Sequence, residues 1–207
     1  MPVSAGLTGK AEAVEHTQRT RSFLLTAMAL IAAEIEGTDR IRFYENGIMS
    51  VNLPISTQVV GTRASRSTHP RSLMLLESLS RLIRSSDTVI DNPFIWKTKV
   101  EVVAELREKP EGSSMRRTLS CSKTRQVTRY KTHCGACVQC LQRRISTLGG
   151  GAGEADPSEA YAIDLLLGPR QRGVDRAMAV DTVRSALEFR RLSDASFARG
   201  LQVSSRG

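Results

Sequence analysis

Every cysteine in the 207-residue chain lies between positions 121 and 140: Cys121, then Cys134, Cys137 and Cys140 in C-x2-C-x2-C spacing. Four thiolates are what a closed tetrahedral zinc site requires. The two Cys-x-x-Cys steps share Cys137, a tight turn at Gly135 lets them converge on one ion, and Cys121 closes the site from a separate segment. A ferredoxin-type cluster would place its next cysteine three residues downstream, before a proline, whereas the fourth cysteine here lies upstream. A redox Cys-x-x-Cys pair would leave two cysteines idle, and disulfides would imply a secreted context that nothing else in the chain supports. The spacing therefore favours zinc. His133 adjoins Cys134, but four cysteines already complete the shell, so His133 reads as a surface residue.

The zinc pattern sits in the most basic part of a chain with net charge +9. From Lys97 to Arg144 there are twelve Lys or Arg against four Glu, and no acidic residue occurs between Arg116 and His133. Such a surplus favours a phosphate-rich partner, nucleotide or nucleic acid, although a solvated basic loop has the same composition. With nine aromatic residues in the whole chain, a stacking platform for single strands is not expected. The longest apolar run, Phe23 to Ala33, is too short to span a bilayer and lies too late for a signal peptide. The chain reads as soluble and cytoplasmic, with no membrane partner.

Periodicity gives an α/β order. A helix is expected over residues 12–36, with Phe23, Ala27, Leu30 and Ile31 on its buried face and Gly37 as its stop. A short strand follows at residues 41–44. A helix over residues 70–84 turns Leu73, Leu76, Leu79 and Ile83 inward, and a second strand lies at residues 88–90. The next helix starts at a capping box formed by Thr98 and Glu101 and ends before Pro110. Alternating helices and strands imply a parallel sheet. The cysteine module ends on a helix through Leu141, Ile145 and Leu148, and the glycines of residues 149–153 read as a flexible linker. Residues 157–207 read as wholly helical: a helix end at Gly168-Pro169, an amphipathic helix through Val180, Val183 and Leu187, a last turn capped by Ser193, and no catalytic signal.

In open α/β sheets, ligands bind beyond the carboxyl ends of the strands. Glu45-Asn46-Gly47 falls directly after the first strand and offers a carboxylate and an amide for a base or ribose, or simply a turn. The segment from Gly61 to Pro70 carries Arg63, Arg66, Thr68 and His69 into a helix start, a combination suited to phosphate or carboxylate, or to an exposed basic loop. Arg19 and Arg21 at the first helix, with Lys97 and Lys99 at a later one, add positive charge on the same edge. Residues 4–10 superficially resemble a phosphate loop but lack the required Gly and Ser/Thr positions.

The run Thr98-Lys99-Val100-Glu101-Val102-Val103, with Thr118-Leu119-Ser120-Cys121, Cys134-Gly135-Ala136-Cys137-Val138-Gln139-Cys140 and Arg143, resembles the 7-cyano-7-deazaguanine (preQ0) synthase family (QueC). The strings from Glu45 to Pro54 and from Arg66 to Pro70 are more similar to the QueC-like proteins of Qat phage-defence systems (QatC). The resemblance covers about residues 17–145, and the tail is similar to the helical extension of that second group. It implies a partial adenine-nucleotide alpha-hydrolase-like domain of the pyrophosphate-loop (PP-loop) ATPase type over residues 1–117, a four-cysteine zinc module over 118–148, a linker over 149–156 and a helical extension over 157–207. It further implies ATP with Mg2+, a deazapurine carboxylate as substrate, adenylation of that carboxylate, and ammonia-dependent conversion through an amide to a nitrile. Arg21, Glu45, Asn46, Arg63, Arg66, Thr68, His69 and Lys99 are then the expected substrate and nucleotide contacts, and Cys121, Cys134, Cys137 and Cys140 the structural zinc ligands. The family's Ser-Gly-Gly-x-Asp-Ser loop has no counterpart in this sequence. The expectation is therefore a carboxy-terminal part, arising from a truncated gene, a misplaced start codon or a split enzyme whose amino-terminal half is a separate chain, with that half or other operon proteins as candidate partners. The alternatives are a non-catalytic basic zinc module holding nucleic acid or a partner protein, and an inactive remnant.

Overall fold

The computed structural model describes residues 21–51, 67–84, 86–123, 130–165, 167–169 and 173–191. Arg19, Arg63 and Arg66, the loop-like residues 4–10, the helix expected before residue 21 and the turn at Ser193 lie outside the described residues. In chain order come α1 (Arg21–Glu36), β1 (Arg40–Arg42), the single turn α2 (Gly47–Ser50), α3 (Pro70–Arg84), β2 (Val89–Asp91) and α4 (Lys99–Arg107). A 3-10 stretch (Pro110–Arg117), α5 (Val138–Gly149), two short 3-10 turns (Gly153–Ala155 and Ser158–Ala160) and α6 (Gly173–Arg191) follow.

β1 and β2 form a parallel pair, with Ile41 opposite Ile90, as the alternation of helices and strands requires. The Val89 N–H donates to the Asp39 carbonyl at 2.8 Å and the Phe43 N–H to that of Asp91 at 2.9 Å. Ile90 therefore turns its N–H away from β1, and Glu77 Oε2 of α3 accepts it at 2.8 Å. Among the described residues a carboxylate, and not a third strand, meets that edge of the sheet, and Arg81 holds it at 2.8 Å. Over the face carrying Ile41 and Ile90, α1 and α3 meet through Ala33 and Leu73, with Leu30, Phe43 and Leu76 around them.

The buried faces of these two helices differ from the sequence expectation. In α1 the inward residues are Ser22, Thr26 and Ala33, while Phe23 is 56% and Ile31 65% exposed. Small residues face the sheet because they let the helix approach closely, and Thr26 satisfies its hydroxyl on the Ser22 carbonyl at 2.8 Å. In α3, Leu73 and Ser80 are buried, but Leu79 and Ile83 are exposed. Its rotation is set by polar contacts: Glu77 and Arg81 bond β2 and the residue before it, and Arg84 reaches Glu34 and Asp39. Leucines cover so much of this helix that apolar period alone leaves its phase open.

Two expectations about the carboxy-terminal third also change. The glycine run is a packed turn and not a loose linker. An added Cβ would lie 3.2 Å from Val100 Cγ1 at Gly149 and 2.7 Å from Val103 Cγ1 at Gly150. Bare backbone is what lets the end of α5 sit against α4. The segment after it is not wholly helical: residues 157–165 cross the cysteine module as turns, Tyr161 and Leu165 entering its core. α6 begins only at Gly173, and Val180, Val183 and Leu187 lie on its exposed side. In α5, Leu141 is buried as expected, but Ile145 and Leu148 are exposed. No helix among the described residues is long and apolar enough to cross a membrane.

Candidate functional site

Cys121 comes from the loop after the Pro110–Arg117 stretch, Cys134 from the turn before α5, Cys137 from the cap of α5 and Cys140 from its first turn. All four are buried, and their Sγ atoms lie within 4.8 Å of one another. Cys137 and Cys140 are 3.4 Å apart, Cys134 and Cys140 3.9 Å. Four sulfurs at the ordinary Zn–S length of about 2.3 Å would stand roughly 3.8 Å apart in a tetrahedron, so the cluster is of the size zinc requires. Gly135 makes the turn possible: its φ is +75°, and an added Cβ would fall 1.9 Å from the Ile163 carbonyl oxygen. The N–H groups of Lys123 and Cys134 donate to Cys121 Sγ at 3.3 and 3.5 Å, contacts that suit a thiolate. The hydrogen bond between Cys137 and Cys140 lowers the pKa of the Cys137 thiol and drives that of Cys140 upward.

His133 is not at the surface. It is 2% exposed, its N–H donates to the Ala160 carbonyl at 3.1 Å, and its carbonyl accepts from Ala162 at 2.8 Å. Its ring lies 5.0 Å from that of Tyr161, and Nδ1 meets Thr132 Oγ1 at 2.9 Å. Burial, then the nearby Arg143 guanidinium, lowers its pKa and keeps it neutral. His133 thus pins the Tyr161 segment to the cysteine turn, outside the four-sulfur cluster.

Beneath this lies a buried ion pair that the sequence reading did not identify. Arg143 Nε donates to Asp156 Oδ1 at 2.7 Å; its other nitrogens donate to the carbonyls of Thr118 and Met115 and to Thr118 Oγ1. Asp156 also accepts from Tyr161 Oη and Thr147 Oγ1 at 2.9 Å each, and Arg144 bonds its carbonyl. Burial opposes ionisation of Asp156, but the hydrogen bonds from Arg143, Tyr161 and Thr147 outweigh it and hold the pKa below the ordinary value. Arg143 follows Cys140 by three positions on one helix face; that phase was the available signal. Nothing local marks Asp156.

The second part of the site is a cleft beyond the carboxyl end of β1. A cavity of about 420 Å³ is lined by Arg21 and Ser22 from α1, Tyr44 and Glu45 after β1, and Ser67 and Thr68 before α3. Three of the expected contact residues, Arg21, Glu45 and Thr68, thus meet around one space. Asn92, after β2, holds the cleft's floor by donating to the Glu45 carbonyl and Ser50 Oγ at 2.8 and 3.0 Å; Ser50 in turn meets Thr68 Oγ1 at 3.1 Å. Asn46 is largely committed to structure: its Oδ1 caps α2 by accepting from Met49 N–H at 3.3 Å, and its Nδ2 donates to Glu45 at 3.3 Å. His69 Nδ1 accepts from the Arg71 N–H at 3.2 Å in the first turn of α3 and does not line the cavity.

Lys99 and Glu45 interact electrostatically across this region. Packing around the Glu45 carboxyl pushes its pKa up against the opposite pulls of Lys99 and Arg21, and burial pushes the Lys99 ammonium down against the pull of Glu45. Both are driven toward neutrality, the displacement that binding and catalytic sites concentrate. Lys99 lines a neighbouring cavity of about 210 Å³ between α2, α4, α5 and α6, and Met49 borders both cavities.

Residues 66–148 match the family model of queuosine biosynthesis protein QueC. The matched stretch contains Thr68, His69, Lys99 and the four cysteines; Arg21, Glu45, Asn46 and α6 lie outside it. Residues 66–148 are thus similar to QueC, and the described residues form a small parallel sheet and a four-cysteine cluster fit to hold a metal such as zinc. No curated protein and no solved structure matches the chain.

Proposed function

We propose that this chain supplies the zinc-stabilised part of a QueC-like, ATP-dependent ligase acting on a deazapurine carboxylate. The observation that carries this reading is the gathering of Arg21, Glu45 and Thr68 around one cavity at the carboxyl end of β1, beside a segment that matches the QueC model. The four cysteines would hold zinc as a structural clasp, and all four sulfurs would be spent on the ion. Arg21 and the hydroxyls of Ser67 and Thr68 suit an anionic ligand, phosphate or carboxylate. In the reaction that the resemblance implies, the substrate carboxylate attacks the α-phosphate of Mg-ATP and pyrophosphate leaves. Ammonia then displaces AMP to give the amide, and a second ATP drives dehydration to the nitrile. The amides that cradle pyrophosphate would come from a Ser-Gly-Gly-x-Asp-Ser loop, which does not occur in this sequence.

The test is AMP and pyrophosphate release from ATP with 7-carboxy-7-deazaguanine and ammonia, for the purified chain alone and with a polypeptide bearing that loop. Turnover only in the mixture is the expected result; no turnover in either sinks the reading. A second reading rests on the exposed Arg116 and Arg117 just before the zinc module and Tyr130 within it, Tyr130 being 84% exposed. It would make the module a holder of nucleic acid, and salt-sensitive binding of RNA or DNA without turnover would establish it.

A further inference from the structure

α1 is apolar almost all round, as a helix covered on every side is, yet among the described residues its outer side is bare. Leu24, Met28, Ile31 and Ile35 each lie two positions beyond Ser22, Thr26, Ala29 and Ala33, hence roughly 200° round the helix from the sheet. Leu75 and Leu82 stand in the same relation to Leu73 and Ser80 of the adjoining α3, with Leu79 between them. These seven side chains are 39–81% exposed. With roughly 100 Å² uncovered on each, the two stripes present about 700 Å² of apolar surface, more than a free monomer ordinarily exposes in one patch and close to the ~800 Å² per partner of a standard interface.

We infer that this outer face is a twofold interface with a second copy of the chain, in which α1 packs antiparallel against its counterpart and α3 flanks the pair. The 4-3-4 spacing of the α1 stripe is that of a seam between helices, and it reads the same in both directions. Reversed about the point between Met28 and Ile31, Leu24 of one copy meets Ile35 of the other and Met28 meets Ile31. One patch is then complementary to itself, as a twofold axis requires. Charge favours the same orientation. α1 opens on Arg21 and closes with Glu34 and Glu36, with no acid in its first turn and no base in its last, so its charges oppose its own macrodipole at both ends. Arg84 offsets Glu34 at 2.8 Å, and Glu36 is exposed. An antiparallel neighbour brings the positive end of its helix beside Glu36. Glutamates at this border also disfavour a membrane surface, whose amphipathic helices carry Lys or Arg there.

The experiment is sedimentation velocity of the full chain over a concentration series, with a melting curve for each variant. The wild-type chain should form a dimer at micromolar concentration. Ile31→Glu and Leu82→Glu place a charge on side chains that are 65% and 81% exposed, so each variant should melt like the wild-type monomer. Each buries an unpaired carboxylate in the dimer and should raise its dissociation constant at least tenfold. Glu36→Gln decides the orientation: it should weaken the antiparallel dimer several-fold, whereas in a parallel pair, where the two Glu36 side chains adjoin, it would tighten it. A monomer at every concentration, a dimer indifferent to both Ile31→Glu and Leu82→Glu, or one tightened by Glu36→Gln overturns the inference. So does a monomer that binds a loop-bearing polypeptide or lipid vesicles through this face, with Ile31→Glu abolishing that binding, since the face then has a different occupant. Association is read without ATP or substrate, so its outcome is separate from that of the ligase reading.

Discussion

The residue with the most at stake is Asp156, because its partner cannot reach water. Arg143 and Asp156 are 5% and 1% exposed, and removing one member of a buried pair leaves the other charge uncompensated, at a cost of about 3–5 kcal/mol. Asp156→Asn should lower the denaturant midpoint by an amount of that order at neutral pH. Because the folded pKa lies below the ordinary 3.8, the stabilisation is complete above the unfolded value and is lost as pH falls through the folded one. Wild-type stability should therefore drop on acidification below about 3.8, and the variant's acid-side slope should be shallower; equal slopes would remove Asp156 from the account. Gly135→Ala tests the cysteine turn in the same way. With φ at +75° and a carbonyl oxygen 1.9 Å from the new Cβ, it should cost more than about 1 kcal/mol and reduce bound metal. An unchanged melting curve would show that the turn tolerates a side chain.

At the scale of elements, local chemistry was readable and rotation was not. The capping box of α4 was legible because both of its bonds lie within four residues: Thr98 Oγ1 accepts from Glu101 N–H at 3.3 Å, and Glu101 Oε2 accepts from Thr98 N–H at 2.7 Å. Thr98→Ala should lower stability by about 1 kcal/mol, read as a shift in denaturant midpoint; no shift would mean that packing alone fixes the start of α4. Lys99 follows directly, so the variant should also weaken any ligand held there. The bounds of α3 and the parallel pairing of β1 with β2 were legible for the same reason, being set by Pro70 and by the βα alternation. Which faces of α1 and α3 turn inward depended on Glu77, Arg81 and Arg84 finding β2 and α1 across the fold, and no local pattern encodes that. The glycines after α5 show the same limit: their composition matches a linker, but Val100 and Val103 of α4 make them a close contact.

At the scale of the whole molecule, the cysteine cluster is one of three cores among the described residues as well as a candidate metal site. Cys121, Cys134, Cys137 and Cys140 pack with Leu141, Tyr161 and Leu165, so a metal bound by the four sulfurs would be coupled to folding there. A strong chelator should lower the melting temperature and change the near-ultraviolet signal of Tyr161. Because Lys123 ties α6 to the same loop, chelation should also raise proteolytic cleavage in α6. If α6 remains as resistant as in the metal-bound protein, its placement is independent of the module.

The sequence by itself determined the four metal-fitting cysteines, the α/β order and the start of α4, because each follows from residue types a few positions apart. Only the tertiary structure decided that Arg21, Glu45 and Thr68 share one cleft, that Asp156 secures Arg143, that His133 is buried, and that α6 walls a second cavity. These depend on burial and on contacts between segments distant in the chain, where the energy of a pair is set by what surrounds it and not by its spacing.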